Sequence, residues 1–259
     1  MAVEVRYYTD PACPWSWSLE PIVRRLMVEF GEGLSWTYVM GGLARDFTGG
    51  GDKGEAYSRL ISHWLDVADV GGMPLDPRIW TEGPIGSSYP ACMAVKAAAE
   101  QGDPYRYLRE VREGIFCFRR KLDTTEALVE AARAAGLNVE RFRVDLGSNA
   151  IVEAFGYDLE DFRARELELP SMVVGDRVVS GFAPYEEYRE AVVVAGADAS
   201  GDRPEVPEAL RRFGRMAARE VEEVCGLRGP QASAELWKLA LDWRVKAVRV
   251  LTGELWEPA

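Results

Sequence analysis

An interrupted α/β fold is predicted for this chain of 259 residues. Hydrophobic periodicity predicts strand, helix and strand within residues 1–45, and strand, strand and helix within residues 166–195, so these two stretches together form one α/β domain. A helical pattern over residues 46–165 separates them and predicts a helical insertion. Small, polar and proline-containing residues at 196–207 predict a linker, and two helical patterns within residues 208–259 predict a C-terminal helical extension.

The elements of the α/β domain follow from local patterns. Residues 3–8 alternate and are rich in Val and Tyr, and residues 34–40 repeat this pattern, so both predict strands. Between them, apolar residues recur with the helical period at Leu19, Ile22, Val23, Leu26 and Phe30. Pro14 suits the first turn of this helix, where its missing N–H removes no hydrogen bond. Later, Gly175-Asp176 lies between two short apolar runs and predicts a β-hairpin, followed by a helix from Pro184.

The remaining helices are predicted from apolar periodicity and capping residues. In the insertion they cover residues 56–67, 87–101, 105–118, 123–136 and 138–165. In the extension they cover 208–225 and 232–251. The second of these begins an apolar stripe that includes Trp237, Trp243 and Trp256. If the first domain does not cover this stripe, the exposed patch would imply a homodimer or a protein partner.

Composition limits the classes of function. Apolar residues make up 47% of the chain, which is sufficient for a packed core, and the formal net charge is −11. Because an acidic surface repels the phosphate backbone, nucleic acid is not expected as a partner. The single histidine, His63, argues against a histidine-rich metal site and against a serine–histidine triad, so no metal is expected.

Cysteine spacing and the N-terminus indicate a cytoplasmic protein with reduced thiols. The four cysteines, at positions 13, 92, 117 and 225, lack the paired spacing of structural zinc sites and are too sparse for a disulfide scaffold. The N-terminus has neither the basic nor the apolar segment of a secretory signal. No apolar run approaches the roughly 18 residues of a transmembrane helix, so no membrane association is expected.

One motif carries chemistry. Asp10-Pro11-Ala12-Cys13-Pro14-Trp15-Ser16-Trp17 follows the first strand and places Cys13 where the next helix begins. Backbone N–H groups without partners and the positive end of the helix dipole stabilise a thiolate at such a position, where cysteine pKa values fall to about 3.5–7.5. We therefore expect a lowered pKa for Cys13, which makes it a good leaving group and favours disulfide exchange over alkyl transfer.

This motif resembles the active-site turn of the DsbA-like branch of the thioredoxin superfamily, whose members carry D-P-x-C-P-x-C. It is also similar to the S-P-Y-S-W turn of kappa-class glutathione transferases and 2-hydroxychromene-2-carboxylate isomerases. Ser88-Tyr89-Pro90-Ala91 opens a helix as in FrnE-like and YjbH-like members, and Leu169-Pro170 precedes a strand where the superfamily places a cis-proline. The resemblance covers about residues 1–195 and implies a thioredoxin-like fold.

The resemblance also implies the site. Cys13 would be the nucleophile, and Ser16 would hydrogen-bond its thiolate. Substrate contacts would come from Pro14, Trp15, Ser88, Tyr89, Leu169 and Pro170. Because a serine hydroxyl cannot attack sulfur, a mixed disulfide at Cys13 needs a low-molecular-weight thiol such as glutathione, or Cys92 if the two Cα atoms come within about 7 Å. No tightly bound cofactor is implied.

Three functions stay open at this point. The first is a thiol-disulfide oxidoreductase or isomerase with a single nucleophilic cysteine, acting on a protein or small-molecule substrate. The second is a protein-binding module of the protease-adaptor type found among YjbH-like proteins. The third is a glutathione-dependent transferase or isomerase, against which the segment Ser180–Ala183 lacks the Ser-Asp or Asp-Arg pair that the glutathione-using relatives carry after the last hairpin.

Overall fold

A four-stranded sheet lies at the centre of the α/β domain in the computed structural model, which describes residues 2–259. Strand β1 (Val3–Thr9) pairs in parallel with β2 (Leu34–Met40) and antiparallel with β3 (Ser171–Val174). Strand β3 forms the predicted hairpin with β4 (Arg177–Ser180), so the strand order is β2-β1-β3-β4. The predicted thioredoxin-like α/β fold is confirmed.

The helices of this domain connect β1 to β2 and follow β4. Between β1 and β2 lie α1 (Pro14–Ser18) and α2 (Glu20–Phe30), which the sequence predicts as one helix. The break falls where Pro21, lacking an N–H, cannot bond back to the preceding turn. The helix α10 (Tyr185–Val194) follows β4.

The insertion is helical, as expected. Its helices are α3 (Lys53–Gly71), α4 (Ile79–Glu82), α5 (Tyr89–Ala99), α6 (Tyr105–Phe116), α7 (Thr125–Ala134), α8 (Val139–Leu146) and α9 (Asn149–Ala164). The prediction of one helix over 138–165 is wrong, because α8 ends at Gly147 and Ser148 caps α9 by accepting the Ile151 N–H.

The C-terminal extension contains helices and, in addition, a small sheet. Its elements are α11 (Val206–Phe213), β5 (Met216–Ala217), α12 (Ala218–Cys225), α13 (Gly229–Leu241), β6 (Val245–Val250) and β7 (Gly253–Pro258). The strands form an antiparallel sheet in the order β5-β7-β6. The predictions of helix over 208–225 and 232–251 are therefore wrong in part. Val245–Val250 is rich in β-branched valine, and a two-residue turn at Leu251-Thr252 connects it to β7, so these residues form a hairpin instead of continuing the helix.

The predicted linker is held against the α/β domain. Residues 197–205 have no regular secondary structure, but the N–H groups of Ser200 and Gly201 both donate to the carbonyl oxygen of Glu29, at 2.9 Å. A side chain at position 201 would place its Cβ 1.8 Å from the carbonyl oxygen of Val28. Glycine is needed here because the two backbone segments touch.

A buried ionic network joins the α/β domain, the insertion and the extension. Glu220 on α12 accepts a hydrogen bond from Arg109 on α6 at 2.8 Å and forms an ion pair with Arg24 on α2 at 2.9 Å. Arg112 on α6 pairs with Glu20 on α2, and all of these side chains are buried. Burial alone would raise the pKa of Glu20, but Arg112, Arg109 and Arg24 together hold it below its usual range. Removing one charge would leave the remaining buried charges of the network out of balance, although Arg109 would keep its pair with Glu113 if Glu220 were lost.

Within residues 2–259, none of the helices combines the length and the apolar character that crossing a bilayer requires.

Candidate functional site around Cys13

The site is built on the turn between β1 and α1. Cys13 is the N-cap residue of α1: its N–H donates to the carbonyl oxygen of Asp10 at 3.2 Å, and its carbonyl accepts from the Trp17 N–H at 3.1 Å. Pro14 occupies the first helical position, as predicted. Cys13 itself is in an extended conformation, and the helical conformation starts at the next residue.

The segment before β3 lies against this turn. The Leu169–Pro170 peptide bond is cis, and the Leu169 carbonyl oxygen lies 3.9 Å from Cys13 Sγ. The Leu169 side chain packs over Gly41, where a Cβ would come within 2.7 Å of Leu169 Cδ2. The fold thus brings together Cys13 and Leu169-Pro170, which are about 156 residues apart in the chain.

The pKa of the Cys13 thiol is shifted in the direction opposite to the one expected from the sequence. Only 2% of the residue is exposed, and this burial raises the pKa of the Cys13 thiol above its usual value. The Ser16 hydroxyl and N–H, which can donate to a thiolate, act on this pKa in the opposite direction, and the Asp10 carboxylate adds to the increase. The expected lowering is therefore wrong: desolvation outweighs the helix N-terminus, and α1 has only five residues to contribute to a dipole.

Ser16 occupies the position that a second cysteine holds in a C-x-x-C turn. It is fully buried, and its hydroxyl has no hydrogen-bond partner among residues 2–259 when Cys13 is a thiol. This hydroxyl can donate to a Cys13 thiolate, but it cannot provide a second sulfur.

A buried carboxylate organises the surroundings of the turn. Asp10 accepts hydrogen bonds from the N–H groups of Ala12 at 2.7 Å and Leu43 at 2.6 Å, from the Ser88 hydroxyl at 2.8 Å and from the Cys92 thiol at 3.1 Å. Burial raises the pKa of Asp10, and these donors partly offset the increase. From the sequence, Asp10 was recognised only as the first residue of the motif. Its role as the common acceptor depends on contacts with the insertion.

The other predicted residues lie on α5 or immediately before it. Ser88 is buried with its hydroxyl on Asp10, and Tyr89 packs edge-on against Phe155 with ring centroids 5.0 Å apart. Cys92 is fully buried, and burial together with Asp10 raises its pKa well above the usual value. Cys13 and Cys92 are both free thiols. A resolving role for Cys92 stays a prediction.

An aromatic cluster, consisting of Trp15, His63 and Phe182, lies next to the turn. The ring of the half-buried Trp15 is 5.5 Å from that of Phe182 and 6.2 Å from that of His63, both of which are exposed. The sequence predicted Trp15 as a contact residue but indicated a structural role for His63 and no role for Phe182. Nothing in the local pattern could have grouped them, because they come from α1, α3 and the segment after β4.

Comparisons with known proteins find ClpXP adapters of similar sequence and oxidoreductases of similar fold. The thioredoxin family model (Thioredoxin_5) matches residues 7–190. The ClpXP adapter protein SpxH of Halalkalibacterium halodurans is 30% identical over 273 aligned residues, covering 98% of this chain and 88% of that protein. A putative protein disulfide isomerase from Nitrosomonas europaea has a similar structure, with a TM-score of 0.66, 19% identity, and coverage of 75% of this chain and 97% of that one. The cytosolic disulfide reductase DsbM of Pseudomonas aeruginosa, solved with GSH, has a TM-score of 0.58 at 18% identity and covers 74% of this chain and 96% of its own.

These relatives differ in how much of the chain they match. The SpxH protein aligns with nearly all of it, including the extension, whereas the thioredoxin family model ends at residue 190. Each of the two solved structures leaves about a quarter of this chain without a counterpart. At less than 25% identity, these structures are evidence for the fold alone.

Proposed function

Because this chain belongs to the thioredoxin superfamily, in the branch that contains the DsbA-like oxidoreductases and the SpxH adapters, we propose that it is an adapter that binds a protein substrate and presents it to the ClpXP protease. The observation that carries this proposal is the alignment of an SpxH protein with 98% of the chain, through an extension that the thioredoxin model lacks. The proposal implies a cytoplasmic location and protein partners.

The geometry around Cys13 supports an adapter over an enzyme. Cys13 is buried, its pKa is raised, and Ser16 replaces the second cysteine, so the turn lacks both a ready thiolate and an adjacent resolving sulfur. In this proposal, the turn supports the structure of the α/β domain, and binding takes place elsewhere on the surface.

The second candidate is a thiol-disulfide oxidoreductase or isomerase that acts through Cys13. The contact of 3.9 Å between Cys13 Sγ and the Leu169 carbonyl oxygen favours it, since the main chain of a substrate that paired with Leu169 would come within reach of the sulfur. The Cys13 thiolate would attack a substrate disulfide, forming a mixed disulfide and releasing the other substrate sulfur as a thiolate. The thiolate of a small thiol such as glutathione would then attack the substrate sulfur of the mixed disulfide, releasing the Cys13 thiolate and leaving a substrate–glutathione disulfide, which a second glutathione converts to substrate thiol and glutathione disulfide.

A turnover experiment tests the adapter. Protein half-lives are measured by isotope pulse-chase proteomics in the native organism, in strains that lack this gene, clpX or both. We expect at least one protein to become longer-lived in each single deletion, with no further increase in the double deletion. Wild-type chain and Cys13→Ser should both restore the short half-life. If no protein responds to both deletions, the chain is not a ClpXP adapter.

A redox assay separates the two candidates. The purified chain and its Cys13→Ser variant are incubated with scrambled ribonuclease in a glutathione buffer. We expect equal and low rates of ribonuclease recovery for both proteins. A rate that depends on Cys13 would establish the oxidoreductase instead.

A further inference from the structure

Trp243 occupies an unusual backbone position at the end of α13. The Arg244 N–H donates to the Leu239 carbonyl oxygen, and the Trp243 N–H to that of Ala240, both at 3.0 Å. This pair of bonds is a Schellman motif, in which the residue after the C-cap adopts the left-handed conformation and is usually glycine. Trp243 has φ +58° there. A bulky side chain at this position strains the backbone.

Burial of the Trp243 side chain does not compensate for this strain. Trp243 is 87% exposed, so its ring contributes little to any core. Strained residues persist where the surrounding structure holds them in place, and they concentrate at binding and active sites. An exposed tryptophan in a conformation that favours glycine is therefore best explained by contact with another molecule.

Two more exposed apolar side chains belong to the last two turns of α13, shortly before Trp243. Trp237 and Leu241 are four residues apart on α13 and so share one face of the helix, and they are 53% and 80% exposed. The Trp237 ring packs edge-on against the buried Trp256, with centroids 4.9 Å apart, which fixes its position. We call Trp237, Leu241 and Trp243 the tryptophan surface.

The strand that follows Trp243 has an open edge. In the sheet order β5-β7-β6, β6 pairs only with β7 in the part of the chain that the structure describes. An unpaired strand edge offers backbone N–H and C=O groups to an extended segment of another chain. Trp243 lies two residues before the start of this strand.

Charge complementarity indicates the chemistry of that segment. Lys246 and Arg249 project from β6 and remain exposed, although each pairs with a glutamate on β7. Residues 208–259 carry nine basic and eight acidic side chains, whereas residues 1–207 carry 22 basic and 34 acidic ones. Strand β6 itself carries two basic and no acidic side chains, on a protein whose net charge is −11, so acidic side chains are the favoured partners of this edge.

We propose that an extended acidic segment of the substrate protein binds the C-terminal extension, pairing with the open edge of β6 and placing an apolar side chain on the tryptophan surface. This inference rests on the proposed adapter function and specifies the class of partner. Tryptophan is among the residues that most often dominate binding energy at interfaces, so Trp243 is the expected anchor.

The test uses a variant that removes the ring and relieves the backbone at the same time. In Trp243→Gly, the thermal midpoint should stay equal or rise, because glycine adopts the left-handed conformation without strain. Affinity for the substrate identified by the turnover experiment, measured by fluorescence anisotropy with the purified full chain, should fall at least about tenfold. Trp243→Asn is the second variant, since asparagine also tolerates this conformation. Tyr157→Ala, which removes an exposed aromatic ring from α9, is the control and should bind as wild type.

A charge reversal tests the partner chemistry. The double substitution Lys246→Glu and Arg249→Glu should weaken binding, and it should reduce the salt dependence of the affinity. If Trp243→Gly and Trp243→Asn bind as wild type, the inference is overturned while the adapter function stands. If the wild type has no ClpXP substrate at all, both fail. A wild-type dimer that Trp243→Gly converts to a monomer in sedimentation would show that a second copy occupies the surface, and this too would overturn the inference.

Discussion

Two helix termini of this protein contrast in accessibility. The N-terminus of α1 carries the Cys13 motif and is closed, with Cys13 2% exposed and Asp10 holding four donors beneath it. The C-terminus of α13 matches no functional sequence motif, yet it presents Trp243 at 87% exposure. A motif can therefore identify the fold of a domain, while the reactivity of its cysteine depends on solvent access, which other segments control.

The difference in accessibility arises from what packs on each terminus. The insertion covers the first: α3 approaches α1 so closely that a Cβ on Gly71 would lie 2.3 Å from Ser18 Oγ, and α5 supplies Cys92 to Asp10. The second terminus belongs to the extension, whose buried side chains face α2 and α6 through Glu220. The face that bears Trp243 is left uncovered within residues 2–259.

The largest expected effect comes from breaking the network that joins the two regions. Glu220→Ala leaves Arg24 and Arg109 buried without their shared partner, and we expect the free energy of unfolding to fall by about 3–5 kcal/mol in urea titrations. Glu222→Ala on the same helix is the control, because its more exposed pair with Arg219 contributes roughly 1 kcal/mol or less. Equal losses for the two variants would show that the network does not hold the extension in place.

A smaller loss of stability is expected when α3 is displaced from α1. Gly71→Ala must separate α3 from α1, and we expect a cost of about 1–3 kcal/mol in the same titration. The insertion would also move relative to Trp15, so fluorescence of the native state should change. In Gly156→Ala on α9, where nothing lies within 4 Å of the added Cβ, alanine should instead stabilise by roughly 0.5–1 kcal/mol. A neutral Gly71→Ala would mean that α3 is not tightly packed on α1.

Reactivity of Cys13 tests the closed state directly. Because its pKa is raised, the thiolate forms only at a pH above that of an ordinary cysteine. Iodoacetamide should modify native Cys13 about tenfold more slowly than the unfolded chain near pH 8, where an ordinary thiol of pKa about 8.5 is partly ionised. The native rate should keep rising with pH after the rate of the unfolded chain has levelled off. Peptide mass spectrometry resolves Cys13 from the other cysteines, and a native rate that levels off below about pH 7 would contradict the closed site.

The smallest effect is expected at Ser16. Its buried hydroxyl lacks a partner among the described residues, so Ser16→Ala should change the free energy of unfolding by less than about 1 kcal/mol. Substrate turnover with ClpXP should not change. A clear loss of both Cys13 reactivity and substrate turnover in this variant would show that the Cys13 motif is the active centre.

Local sequence signals predicted the elements that depend on neighbouring residues. The alternation in β1 and the turn at Gly175-Asp176 are examples, since each depends on side chains a few residues apart. The helix predicted over 232–251 failed at Trp243. There the apolar stripe continues in the sequence, but its later members belong to β6 and β7, where antiparallel pairing rather than helical periodicity places them.

The thioredoxin-like fold and a cysteine at a helix N-terminus could be predicted from the residues alone, because turns, caps and periodicity act over short distances. The folded structure was needed to show that this cysteine is buried with a raised pKa, that Asp10 accepts hydrogen bonds from the insertion, and that Trp243 is exposed. Each of these depends on which distant segments exclude water from a side chain, and desolvation is a property of the assembled fold.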